Sequence, residues 1–527
     1  MTARLQHLLQ SPAGSRRLFL SALLVLTALR TALAAGLAFT GDEAYFAFWG
    51  IYPAWGYYDH PPMVGWWLAA LAALSTEAFV MRLPALALPP LLAWIAFRIA
   101  RRHGEVLGWN AATLTLLLPL NAVNVAITSD IPLMLFAGLC VWAWLRALRT
   151  GRTADFLLTG LMLAGALMSK YFAGLLALAL SGHALWRPQR RRLAGLLWVI
   201  VGTLPAAVVQ VAWNAQNCWP NVMFNLVNRH EDAGVSWQTP VLFVLSVLYV
   251  LTPPVAWRLL GGRRDADAAA GNVATGTATE AAAELVALRW LALVPLAILA
   301  LLSLFKTIGV HWLASFALPA VLAFVLMAGP RMLARGVIWA GALAVAQWVL
   351  IAVLLALPTE TYRHWKGYPG LVMTMHVDEL AEALEPWRGR YAIASSGYSP
   401  AVTLGYGLGS YVFVFGPGSS HARHDDILTD LRGLAGKDIL VVRKDGDYSR
   451  TEYEPFFDSV AYRTLALRGV VFHLIEGHGF RYEPYRDEVL ETIRQRWYAV
   501  PQWLPSGSCY FCDRYFPERT CRRSGNP

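Results

Sequence analysis

The sequence predicts a mostly α polytopic membrane protein, with about eleven transmembrane helices, followed by an α/β domain outside the cytoplasm. Three observations predict it. Of 527 residues, 57% are hydrophobic and only 15% are charged, against about 25% charged in a soluble domain. Apolar runs of spanning length alternate with polar breaks, and every second break is rich in arginine. From Pro358 onward the long apolar runs give way to short strand-like runs. The domain division expected is therefore 1–357 in the membrane and 358–527 outside it.

Taken in order, Leu18 to Phe39 is long enough to span. It lacks a small-residue cleavage site followed by a soluble domain, so it reads as a transmembrane helix and not a cleaved signal, with Arg16 and Arg17 holding its start in the cytoplasm. A short apolar piece from Val64 to Leu74 suits the membrane interface, and Val80 to Ile99 returns to Arg101, Arg102 and His103. Leu107 to Leu120 crosses outward, and Ile131 to Leu148 comes back to Arg146, Arg149 and Arg152. A helical hairpin, Phe156 to Trp186, turns on the outside near Lys170 and ends at RPQRRR. Leu193 to Trp213 and Val241 to Leu260 enclose a long external loop. Asp265 to Glu284 is rich in Ala, Gly and Thr and reads as a cytoplasmic linker. Leu285 to Leu304, Leu313 to Met327 and Val337 to Leu357 complete the spans.

A net charge of +10 would suit nucleic acid, but five consecutive inner loops are Arg-rich under one threading. The excess is topological, and no nucleic-acid partner is expected. In the outer domain RYAIASS, YVFVF, DILVVRK and GVVFHLI read as strands, with helices from His424 to Leu434 and Tyr485 to Arg496. Of five cysteines, Cys140 and Cys218 look isolated and inert. Cys509, Cys512 and Cys521 lack a fourth ligand for zinc, which leaves a disulfide among the three as the better reading.

The same threading puts the unusual polar residues on the outer face: Asp42, Glu43, Asp59, His60, Asp130, Lys170, Asn214, Arg229, His230, Lys306 and His311. The inner face carries mostly Arg. Acids with bases in one set of loops suit a carboxylate that activates a nucleophile while cations hold an anion. Each residue also has a structural explanation. Asp42, Glu43 and Asp130 stand where helices start and could cap them. The aromatics between Tyr45 and Tyr58 could form an interfacial belt, and Lys170, Arg229, Lys306 and the histidines could snorkel.

The stretch GDEAYFAFWG…YYDHPPMVGWW, from Gly41, resembles the first-loop motif of GT-C glycosyltransferases related to protein O-mannosyltransferases (glycosyltransferase family 39), whose superfamily includes the lipid A aminoarabinose transferases. TSDIPLMLF at 128–136 resembles the second-loop Asp motif, and ALMSKYFAGLLAL at 166–178 the Lys-containing turn. WNAQNCWPNVMFNLVNRH at 213–230 and FKTIGVHWLASFALP at 305–319 resemble later segments. The likeness covers about the first 330 residues. It implies inverting transfer of a sugar from a polyprenyl-phosphate donor to a glycolipid, glycan or protein acceptor, in a bacterial inner membrane and on its periplasmic face. The resemblance makes Asp42 the general base and has Asp130 orient acceptor or donor; Glu43, beside Asp42, is a further catalytic candidate. Lys170 is the phosphate contact, with Arg229, His230, Lys306 and His311 as further substrate-binding candidates. At His60 the aminoarabinose branch often has Lys, so His60 either binds phosphate when protonated or joins Asp59 on a divalent metal ion, and metal dependence stays open. The rival readings are a flippase for lipid-linked saccharides, which predicts mid-membrane charges and an internal repeat, and a non-catalytic receptor.

Overall fold

The computed structural model describes residues 2–186, 188–227, 234–261, 275–416, 424–444, 447–505, 507–519 and 521–522. Arg229 and His230 lie outside these residues, as does the first half of the expected linker. The chain forms two compact units, one of residues 1–36, 79–208 and 233–354, the other of residues 37–78, 209–232 and 355–527.

The first unit is helical and apolar, and the chain reads as a multi-pass membrane protein. Among the described residues seven helices are long and apolar enough to cross a membrane: Pro12–Gly36, Ala78–His103, Asp130–Thr150, Arg190–Gln216, Glu280–Leu302, Val310–Met327 and Pro330–Ala356. An eighth span exists if Gln238–Leu251 and Pro253–Gly261 count together, although they bend by 108°. The bend follows from Pro253 and Pro254, which remove helical donors, and from Thr252 at φ 68°. The sequence count of about eleven also takes in shorter elements. Glu105–Leu117 has 13 residues, about 20 Å of helix, and the two hairpin helices, Thr153–Ser169 and Ala173–Trp186, have 17 and 14. Apolar composition selects these as readily as a true span, and only their length separates them. Part of the expected linker is helix as well, because the helix ending at Leu302 begins at Thr275, an Ala-rich start with high helix propensity.

One buried charge repairs this unit's backbone. Pro89 and Pro90 lie inside the helix Leu83–Ala100, so the carbonyls of Ala85 and Leu86, four residues back, have no helical N–H to accept. Arg30, 1% exposed, donates to both of those oxygens and to the carbonyl of Asn124. The guanidinium's fixed fork suits several acceptors at once. The expected inner face is also less purely basic than the sequence reading has it. Glu284, from the stretch read as linker, is buried between His103 Nε2 at 2.8 Å and Arg149 Nε at 3.1 Å.

The second unit is built on a five-stranded sheet in the order β2-β1-β3-β5-β4, where β1 is Ala392–Ser395, β2 Phe413–Val414, β3 Ile439–Arg443, β4 Phe457–Leu467 and β5 Val470–Phe480. β1 runs parallel to β2 and β3, whereas β5 is antiparallel to β3 and β4. All of β3 is buried, as a continuous apolar run covered on both faces should be. Ile439 and Val441 face one core; Leu440 and Val442 face another. The first core also takes in Tyr58, Cys218, Trp219 and Phe224, so these loop segments share hydrophobic burial with the sheet. The four expected strands are present. β4 was not legible because it is an edge strand of mixed polarity, closed onto β5 by a tight turn with Arg468 and Gly469 at φ 49° and 79°. The first expected helix splits into Asp425–Leu428 and a 3₁₀ turn Leu431–Leu434, while the second runs through a π-turn at Arg486–Leu490.

The cysteines need one correction. Cys512 and Cys521 pair, as the clustering suggested, but Cys218 is not inert: it pairs with Cys509 across 291 residues. Among the described residues Cys140 alone is free, and it is buried.

Replacing Arg30 by Leu should take the side-chain donor from three backbone carbonyls, at about 3 kcal/mol. Thermal unfolding of the purified protein reads this loss, and a Lys at 30, which restores charge without the fork, should recover only part of it.

Candidate active site

The acidic stretch folds as the helix Gly41–Ile51, and its two acids have different surroundings. Thr40 is the N-cap: its hydroxyl accepts the Glu43 N–H at 3.3 Å, and Glu43 Oε2 accepts the Thr40 N–H at 3.1 Å. This reciprocal capping box buries Glu43 completely and accounts for it structurally. Asp42 is exposed in the same first turn, where unpaired amide dipoles favour a carboxylate. It makes no ion pair or side-chain hydrogen bond with the described residues.

Tyr45 sits one turn beyond Asp42 on the same helical face and donates its hydroxyl to Asp59 Oδ1 at 2.9 Å. Asp59 is buried, and His60 Nδ1 lies 3.3 Å from its other oxygen without hydrogen-bond geometry. The turn that carries them is held by aromatic packing. Trp49 stacks flat on Tyr57 with centroids 4.0 Å apart, and the Tyr57 hydroxyl donates to the Trp49 carbonyl. Two glycines in the motif permit this closeness. A Cβ on Gly65 would stand 2.2 Å from the Tyr57 hydroxyl, and one on Gly56 would stand 2.4 Å from the Trp213 ring.

Sequence reasoning missed two residues here. Asn221 Nδ2 donates to the carbonyls of Tyr57 and Tyr58, at 2.7 and 2.9 Å, immediately before Asp59. Asn214 exchanges two hydrogen bonds with Asn221 and fixes its amide. Between them, Cys218 and Trp219 adopt left-handed backbone, φ 69° and 53°, a conformation costly for residues with a Cβ. The Cys218–Cys509 disulfide and a bond from Trp219 Nε1 to the Pro505 carbonyl hold it there. The second missed residue is His424. It is buried, its ring meets Tyr57 edge-on at 4.8 Å, and its Nδ1 has no hydrogen-bond partner. Burial pushes its imidazole down to about 4, with the Asp59 charge opposing. Its lack of any local motif hid it; only the tertiary fold brings it to Tyr57.

The first unit gathers a cationic group. Lys170, at the C-cap of Thr153–Ser169, reaches both carboxylate oxygens of Asp130 at 2.9 Å, and both residues are buried. Lys170 Nζ also lies 5.8 Å from the Phe172 ring, Phe172 packs on Trp312 at 4.2 Å, and Lys306 Nζ is 5.9 Å from Trp312. Exposed His311 is next to Trp312. The buried pair makes Asp130 the group that fixes the Lys170 ammonium. Among the described residues the only cluster with metal-ligand spacing is Cys509, Cys512 and Cys521, all of which are in disulfides.

His424 binds a proton less readily folded than unfolded, where its value is near 6.5. Its contribution to stability is thus complete above pH 6.5 and lost as pH falls toward 4, about 2 kcal/mol at pH 5. The melting temperature should drop between pH 7 and 5, and His424→Asn should flatten that slope. Separately, reducing the protein or changing Cys218→Ser should release the Asn221 segment. Exchange of the Tyr57–Asp59 amides measured by hydrogen–deuterium exchange should then rise at least tenfold.

Residues 59–213 match the family described as dolichyl-phosphate-mannose-protein mannosyltransferase. The chain is also 26% identical over 239 residues to lipid A galacturonosyltransferase RgtD of Rhizobium johnstonii. That match covers 42% of this chain and 50% of the relative, so the chain spans about half the length of the curated relative it matches. The family-matched residues include Asp59, His60, Asp130 and Lys170, and the two likenesses together bear out the resemblance to GT-C glycosyltransferases of the protein O-mannosyltransferase type read from the motifs.

Proposed function

We propose that the protein is an inverting glycosyltransferase that moves a sugar from a polyprenyl-phosphate donor to an acceptor hydroxyl, on the periplasmic face of a bacterial inner membrane. The observation that carries the proposal is Asp42, a solvent-reachable carboxylate at a helix N-terminus whose neighbour Glu43 is consumed by the cap. A hydroxyl is a weak nucleophile, and a positioned base is the least the reaction needs. The acceptor oxygen attacks the anomeric carbon, the bond to the phosphate oxygen breaks, and the hydroxyl proton passes to Asp42. Polyprenyl phosphate leaves with the bonding electrons, and its growing charge calls for cations. The motif resemblance gives the phosphate contact to Lys170, whose ammonium Asp130 holds.

Asp59 and His60 are the residues that would hold a divalent ion if one takes part. Two contacts already fall on Asp59, from Tyr45 and His60, and the ion would compete with them. The name of the matched relative makes a lipid A-type glycolipid the first acceptor to try, and the family's description makes a protein hydroxyl the second. The flippase reading asks for functional charge within the spans, and Arg30, which is such a charge, has its donors committed to backbone carbonyls.

The test is release of polyprenyl phosphate from labelled polyprenyl-phosphate sugars by the purified protein with a membrane extract as acceptor. Asp42→Asn should lower turnover about 10²–10⁴-fold with donor binding retained, and an EDTA arm reads metal dependence. Full turnover in Asp42→Asn would remove the assignment.

A further inference from the structure

The helix Gly41–Ile51 has a second working face. Asp42, Tyr45 and Trp49 line the side toward Asp59, whereas Ala44, Ala47, Phe48 and Ile51 recur at helical spacing on another and form one wall of a cleft of about 710 Å³. The opposite wall comes from the same unit: Thr374, Met375, Val377 and Asp378, the helix Tyr398–Leu408, and Tyr411 and Val412 just before β2. The volume is that of a small-molecule site.

Its chemistry is specific. Among the described residues the lining includes the acids Glu77 and Asp378 and no Lys, Arg or His, in a chain whose net charge is +10. Phe48 stacks on Tyr411 at 5.5 Å, and Tyr52 packs edge-on against the same ring. The Tyr411 and Tyr406 hydroxyls are engaged by Thr429 and by the Thr76 carbonyl, which leaves their rings as surfaces. Aromatic faces carry negative potential and suit the weakly positive C–H face of a pyranose. Carboxylates accept from its hydroxyls, and two acids with no cation repel a phosphate.

We propose that this cleft binds uncharged sugar rings of the acceptor, alongside the helix that carries the base. The proposal rests on the glycosyltransferase reading, but its test does not. Full-length protein in zwitterionic nanodiscs, without donor, would be examined by saturation-transfer NMR with maltose, cellobiose and N,N′-diacetylchitobiose, and with glucose 6-phosphate as the anionic control. At least one neutral disaccharide should receive saturation from protein aromatic protons, and glucose 6-phosphate should not. Val402→Trp, which fills the cleft, should abolish the signal, and Asp378→Asn should weaken affinity about tenfold. Should Val402→Trp fail to fold, Tyr52→Ala removes an exposed ring and serves the same purpose. No binding by any of the three disaccharides, a signal that survives the filled cleft, or a copurified phospholipid that no sugar displaces would overturn the assignment. Sugar binding in a protein that never releases polyprenyl phosphate would instead count against the reaction and leave the cleft standing.

Discussion

Two hydrogen bonds from one amide hold the acidic turn in place. Asn221 binds the carbonyls of Tyr57 and Tyr58, and the next residue is Asp59. An irregular turn has no ladder to satisfy its backbone, so its carbonyls need side-chain partners. Asn221 provides them only because Asn214 fixes its amide and the Cys218–Cys509 bond holds its own segment in left-handed backbone. The order of the acidic turn is thus borrowed from the C-terminal domain, whose core also receives Tyr58 and Trp219. A disulfide of this kind needs an oxidising compartment, in keeping with the outer placement proposed for this unit.

Charge is handled by separation of tasks. Glu43 closes a helix end, Asp59 is engaged by Tyr45 and His60, and Asp130 holds Lys170. Asp42 is the acid of the group left exposed. A buried Lys–Asp pair adds little stability after desolvation, but it does fix where an ammonium stands. In an anion site the position of the cation counts for more than the strength of the pair.

The sequence made the local parts legible and concealed the distant ones. The capping box could be read from Thr40 and Glu43, three residues apart, and both hydrophobic faces of β3 from an unbroken apolar run. Asp130 and Lys170 could each be found in its own motif, but 40 residues separate them and nothing local announces that they pair. Cys218 looked isolated because its partner is 291 residues away, and His424 lacked any motif. Composition also overstated the spans, since a 13-residue apolar helix and a 25-residue one look alike until their lengths are fixed. Arg229 and His230 stand as sequence candidates only, outside the described residues.

A single exposed base acting on an acceptor hydroxyl makes one displacement at the anomeric carbon, whereas two carboxylates sharing the work through a covalent intermediate make two. The stereochemistry of the product separates these directly. An NMR determination of the anomeric configuration of the transferred sugar, against that of the polyprenyl-phosphate donor, should find it inverted. Retained configuration would contradict direct displacement with Asp42 as the base.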